Sequence, residues 1–271
     1  MTRKNYQRFF SIIVILFPIL AQYSVGVQGV TLGELTLLGA SLGLFCWRKE
    51  ISLDRSRRYF MYFLIYCYFI SIVSLIFQQA LGVGVLFRML RCLFYFTVIL
   101  FGSEDFDWRG MRKPYQNLSI AIAVYAILQK ACFEWRHIML PNRLLPLHWY
   151  ADAPGTEQLR ENYLKYFFQS NGVFTEPGYL AHYLFPCLVF LLYEKDTRRG
   201  VKWFKILTVF LALWFTKSVQ AVGLSMGILG LYLLKELLSK KVSERQRGLA
   251  FILPMGLFAA GILQSGTGQM L

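Results

Sequence analysis

The sequence is short of the residues that build metal sites, disulfide frameworks and water-facing surfaces. Its five cysteines (Cys46, Cys67, Cys92, Cys132 and Cys187) are scattered and form no CxxC pair. That spacing supports neither a zinc site nor a disulfide scaffold. Histidine occurs three times and acidic residues number 15. Charged residues are 16% of the chain, against about a quarter in soluble domains. Tandem repeats and low-complexity segments are absent. No metal and no cofactor is expected.

What fills the chain instead is apolar. Hydrophobic residues make up 56% of the 271 positions, and the mean hydropathy is +0.45. The charges are bunched, and between the bunches lie apolar runs of roughly 14 to 22 residues, the length scale at which a helix crosses a hydrocarbon core of about 30 Å. Lipid offers backbone groups no partner, so only helices or closed barrels cross it. The runs are continuously apolar rather than alternating, which selects helices. The expectation is an all-α polytopic integral membrane bundle in one domain, 1–271, with about nine spans over 9–29, 31–47, 59–80, 83–101, 116–133, 177–194, 203–216, 219–235 and 249–264. The first span follows a basic segment and lacks a small-residue cleavage pattern, so it reads as uncleaved.

The net charge is +14, but its placement argues against a nucleic-acid partner. Arg48, Lys49, Arg55, Arg57 and Arg58 fall in one connection. Arg109, Arg112 and Lys113 fall in another, followed by Lys195, Arg198, Arg199 and Lys202, and then Lys235, Lys240, Lys241, Arg245 and Arg247. The intervening connections 29–31, 80–83 and 217–218 are nearly free of basic residues. The positive-inside rule therefore places the N-terminus in the cytoplasm. The chain stops just past its ninth span, which reads as the end of a truncated version of a longer architecture.

One outer connection, 134–176, is far beyond ordinary loop length. It carries Pro141, Pro146 and the string His148-Trp149-Tyr150. Pro154-Gly155 makes a turn, and Thr156 can cap a short amphipathic helix over 157–168 with Arg160 and Lys165 flanking its apolar face. Trp149, Tyr150, Tyr163 and Tyr166 could stack on sugar rings, or belong to an interfacial aromatic belt. Gly223, Gly227 and Gly230 in the eighth span have the small-residue spacing of close helix packing.

Three constellations could carry chemistry. Arg88 and Arg91 lie three residues apart on one face of the fourth span. A charge there costs about 2.5–3.5 kcal/mol on insertion scales. Two readings stand: a bidentate clamp for a phosphate or pyrophosphate, or an internal ion pair with Glu34. The second constellation is the entry to the sixth span. Pro177 suits a first helical turn and pushes Glu176 out of helical geometry to the N-cap. His182 lies deeper and off that face. The pair could activate a hydroxyl, or be a helix cap and a packing residue. The third is the hairpin Thr216-Lys217-Ser218, where Lys217 breaks the charge rule. It marks either an anionic ligand or a tolerated interfacial lysine.

The segment Gly172-Val-Phe-Thr-Glu-Pro-Gly-Tyr-Leu-Ala-His-Tyr-Leu184 resembles the small-Phe-x-Glu-Pro-x-x-x-Ala-x-Tyr signature of O-antigen and capsular polysaccharide polymerases. Thr216-Lys-Ser218, followed by a small-residue-rich span, is similar to that family's Thr-x-Ser element. The resemblance covers residues 165–235 at motif level. It implies transfer of a glycan from undecaprenyl pyrophosphate to a sugar hydroxyl at the outer face of the inner membrane, without a metal. The related O-antigen ligases transfer to lipid A core. On this reading Glu176, His182, Arg88 and Arg91 are catalytic. Arg160, Lys165, Lys217, Ser218, Trp149 and Tyr150 bind substrate, and a chain-length regulator or a flippase is an expected partner. The sequence departs from the family at Gln169, where members often carry an arginine, and in length. The rival expectations are a transporter or lipid-linked oligosaccharide flippase using the same arginines as a carrier site, and a non-catalytic truncated homologue.

Overall fold

The computed structural model describes residues 2–26, 30–47, 55–77, 83–147, 169–194 and 198–238. Among them all regular structure is helical, apart from one isolated bridge between Ser24 and Thr31. The eight described helices are α1 (Arg3–Leu20), α2 (Leu32–Trp47), α3 (Arg55–Phe77), α4 (Val83–Gly102), α5 (Trp108–Arg136), α6 (Pro177–Tyr193), α7 (Arg199–Phe215) and α8 (Val219–Leu238). Each overlaps one expected span. The segments 249–264 and 157–168 lie outside the described residues. α5 is long and apolar enough to cross a membrane, and shorter apolar helical stretches run over Leu32–Gly43, Met89–Gly102, Pro177–Tyr193 and Ala221–Tyr232.

α1 starts earlier than hydropathy predicts because polar groups hold its basic first turns. The Thr2 hydroxyl caps it, accepting from the Asn5 N–H at 3.4 Å. Arg3 pairs with Asp105 at 3.3 Å and Arg8 with Asp107 at 3.7 Å. Gln7 donates to Asp105 at 3.0 Å. The helix stops nine residues short of the expected end, where the chain turns over Ala21–Tyr23 and passes through Gly26 at φ +83°.

The described residues divide into two compact units, Met1–Met111 and Arg112–Leu271. In the first unit Phe10, Leu37 and Ala40 form the buried centre, with Tyr6, Phe17, Phe94, Tyr95 and Val98 packed on it. The Tyr6 hydroxyl donates to the Ala40 carbonyl of α2. α2 lies close against the end of α1 because residue 33 is glycine. A Cβ there would come within 2.5 Å of the Ala21 nitrogen. α3 is different: Phe63, Ile65, Tyr66, Phe69 and Ile76 are all exposed.

In the second unit α6 is the centre. It is apolar on nearly every face, the pattern of a largely enclosed helix. Leu180, Leu184, Leu188, Leu191 and Leu192 are all essentially inaccessible, as are Val209 and Leu213 of α7 and Ala123 and Ala126 of α5. The end of α6 is fastened by a buried carboxylate. Glu194 receives Arg112 at 2.9 Å and Gln116 at 3.4 Å, while Lys202 donates to the Leu192 and Glu194 carbonyls at 2.7 and 2.8 Å. Two residues from the basic connections, Arg112 and Lys202, thus serve as joints between α5, α6 and α7.

Candidate functional site

The segment 169–176 is shaped by its neighbours before it is shaped by any ligand. The Ser170 N–H donates to the Phe215 carbonyl at 3.1 Å, and its hydroxyl donates to the Ala126 carbonyl at 2.8 Å. Gly172 exchanges two bonds with the Gln129 side chain. Its N–H donates to Oε1 and its carbonyl accepts from Nε2, both at 2.8 Å. Gly172 has φ +60°, a region that strains any residue with a Cβ. A Cβ there would also press on Leu180 and Ile122. Asn171 closes a turn, its carbonyl accepting from the Phe174 N–H at 2.9 Å. Val173 and Phe174 are buried.

That anchored turn delivers Glu176 to the head of α6. Glu176 is the N-cap, extended at φ −133° and ψ 146°, with Pro177 first in the helix, as the Glu-Pro step predicts. Its carbonyl accepts from Tyr179 and Leu180, but its side chain makes no capping hydrogen bond and is exposed. Behind it Tyr179, His182 and Pro186 form the one exposed stripe on this part of α6, against an otherwise buried helix. His182 is therefore not a packing residue. It stands off the line of Glu176 by its six-residue spacing, as expected.

The hairpin between α7 and α8 lies at the same end of this unit, because Ser170 is tied to Phe215. The Thr216 hydroxyl donates to the Leu213 carbonyl at 2.6 Å and accepts from the Ser218 N–H at 3.2 Å. Ser218 immediately precedes α8, its Oγ accepting from the Ala221 N–H at 3.5 Å. Between them Lys217 adopts φ +50° and is exposed. Its ammonium is held below the usual lysine range, first because its surroundings strip it of water and then by the like charge of Lys130, with Glu134 opposing.

Lys130 and Glu134 belong to this end too, and sequence reasoning passed them over. Lys130 follows Gln129, the residue that grips Gly172. Its Nζ lies 2.5 Å from Glu134 Oε1. The Glu134 carboxyl is held below the usual range by that hydrogen bond and charge, with smaller contributions from Lys217 and His137. Their four-residue spacing was visible, but a lysine inside an expected span beside an acid at its edge reads as a simple helix pair.

The arginine constellation is in the first unit and resolves differently. Thr31 and Glu34 form a reciprocal cap on α2. The Thr31 N–H donates to Glu34 Oε2 at 2.8 Å and the Glu34 N–H to Thr31 Oγ1 at 3.2 Å. The other carboxylate oxygen of Glu34 takes the Tyr95 hydroxyl at 2.7 Å and the Arg91 guanidinium. Of the two readings for Arg91, the ion pair with Glu34 is the one present. Arg88 lies in α4, and its side chain is outside the described residues, as are Trp149, Tyr150, Arg160 and Lys165. A cavity of about 590 Å³ in the first unit, lined by Arg3, Lys4, Gln7, Asp105, Trp108 and Arg109 among others, contains none of the expected site residues. Among the described residues no cluster of His, Cys, Asp and Glu could hold a metal.

The chain was compared with protein-family models, curated proteins and solved structures, and it matches none of them.

Proposed function

We propose that the chain is a polytopic inner-membrane glycosyltransferase of the polysaccharide polymerase type. It joins oligosaccharide units carried on undecaprenyl pyrophosphate at the outer face. The observation that carries this reading is the anchored 169–176 turn, which sets an uncapped, exposed Glu176 ahead of His182 at one end of a helix that is otherwise enclosed. A carboxylate kept off its own helix N-terminus is available to take a proton.

The membrane placement draws support from composition and exposure together. α5 has the length of a span, and α3 exposes Phe63, Ile65, Tyr66, Phe69 and Ile76 at 57–62% of their surface, apart from nearby residues of lower exposure. Contiguous apolar surface of that kind is disfavoured in water and natural in lipid. The alternation of basic connections gives the orientation.

In the reaction the acceptor sugar hydroxyl attacks the anomeric carbon of the donor glycan. The new C–O bond forms as the bond to the pyrophosphate oxygen breaks. Glu176 takes the hydroxyl proton, and His182 orients the acceptor. The electron pair leaves with undecaprenyl pyrophosphate, whose growing charge is met by Lys217 and by the Ser218 O–H, whose oxygen also caps α8. Positioning two large substrates at one rim supplies much of the remaining rate. Arg91 has no part in this scheme, since Glu34 already neutralises it.

The deciding experiment expresses Glu176→Gln in a strain lacking the wild-type gene and examines surface glycan by gel. Single units displayed without a ladder support polymerisation. An unchanged ladder removes Glu176 from the chemistry. Complete loss of surface units, with the protein present at normal level, favours a flippase.

A further inference from the structure

Glu134 sits where helix energetics do not want it. It lies in the last turn of α5, next to the negative end of the helix dipole. It follows Lys130 by four residues, the weaker of the two orders for such a pair. Helix stability therefore does not account for it. What surrounds it does. Gln129 ties α5 to Gly172, and Ser170 ties the same turn to Phe215. Lys130 and Lys217 are carried to one rim by those two ties, and Glu134 pairs with Lys130 there. The exposures are unequal. The Lys130 side chain is 12% exposed and the Glu134 side chain 58%. The cation is held in place, while the carboxylate can swing into water.

We propose that Glu134 is a built-in stand-in for a phosphate group, occupying the Lys130 ammonium beside Lys217 until a phosphate of the ligand displaces it. Lys130 then becomes a second cation of the pyrophosphate site, contacting the leaving group alongside Lys217. A phosphate oxygen accepts from an ammonium as a carboxylate oxygen does, and a pyrophosphate has enough oxygens to reach both lysines. The exchange needs no bond made or broken. It keeps a carboxylate against the Lys130 ammonium when the site is empty, and a mostly enclosed cation gains from an anionic neighbour. The inference rests on the pyrophosphate-lipid reading above and adds two residues to it.

The test measures binding of inorganic pyrophosphate to the purified full chain in nanodiscs, with a second arm using undecaprenyl pyrophosphate in the bilayer. Glu134→Gln removes the competitor while keeping the shape of an exposed side chain. It should tighten pyrophosphate binding by about tenfold, and Lys130→Met should weaken it by a similar factor. Unchanged or weaker binding in Glu134→Gln overturns the proposal, as does wild-type binding in Lys130→Met. Lys130→Arg, which keeps the charge, separates loss of the contact from loss of the fold and should retain binding. A response in the free pyrophosphate arm alone assigns the site to a soluble anion. A response in both arms assigns it to the lipid headgroup.

Amine labelling of Lys217 gives an independent readout of the same cluster. Lys130→Met should slow it by removing a like charge, and Glu134→Gln should speed it. Equal rates in both variants would show that the three groups do not sense one another. If Glu176→Gln abolishes surface units altogether, with the protein present at normal level, while pyrophosphate still answers to Glu134 and Lys130, the polymerase reading fails and the anion site stands. The reverse pattern leaves the polymerase and removes the stand-in.

Discussion

Two carboxylates, one in each unit, are paired with a cation from a helix, and their circumstances differ in a way that separates structure from exchange. Glu34 in the first unit is 12% exposed at its side chain and serves the α2 cap, Tyr95 and Arg91 together. Removing it would undo three contacts. Glu134 in the second unit is more than half exposed and bonds to Lys130 within its own helix. A charge pair knit into a cap is architecture, whereas a charge pair at a rim can be traded for a ligand. Arg3, Arg8, Arg91 and Arg112 are matched by Asp105, Asp107, Glu34 and Glu194, and Lys217 stands exposed on a left-handed residue.

The contrast can be broken most sharply at Glu34. Glu34→Ala should destabilise the chain by about 3 kcal/mol, because it removes the ion pair with Arg91 and the Tyr95 hydrogen bond along with the α2 cap. Thermal unfolding in detergent reads this, and a loss below about 1 kcal/mol, the scale of exposed pairs, would put Glu34 in the same class as Glu134. Gln129→Leu comes next. It orphans the buried N–H and carbonyl of Gly172, at about 2 kcal/mol or more, and should abolish the ladder by releasing the turn that places Glu176. A stable variant with a normal ladder would show that the anchor is dispensable. Gly172→Ala should cost roughly 1–2 kcal/mol through its left-handed backbone, with a shortened ladder.

His182→Gln should leave stability within about 0.5 kcal/mol of wild type, as exposed positions do, yet shorten the glycan. A normal ladder would remove it from the site. The smallest effect is acid titration of Glu134. Its folded pKa lies below its unfolded one, so its contribution to stability is present above the ordinary carboxylate range and disappears only as pH falls below that range. Stability of wild type and Glu134→Gln should therefore run parallel at neutral pH and converge at acid pH. Curves that never converge would mean that the carboxylate is not what stabilises that rim.

Helix positions were legible in the sequence because lipid-length apolar runs leave little choice. The N-cap at Glu176 was legible too, since Pro177 fixes its own φ and restricts the residue before it. The early start of α1 was not, because hydropathy cannot foresee that Asp105 and Asp107, about a hundred positions away, would receive Arg3, Gln7 and Arg8. The Lys130–Glu134 rim escaped for a related reason. Nothing local tells that Gln129 reaches Gly172 or that Ser170 reaches Phe215. Without those ties Lys130 and Lys217 are merely two distant lysines.

The Gln129 side chain deserves its consequence. Its amide offers one acceptor and one donor in the arrangement a neighbouring strand would present, so a single residue of α5 reads both backbone groups of Gly172 at once. Asparagine is too short to copy this and glutamate lacks the donor. The loop is thereby indexed to one helical position. Shifting it by a single residue would meet a side chain where a glycine must be, so insertions or deletions between 169 and 172 should be tolerated far less well than substitutions beside them.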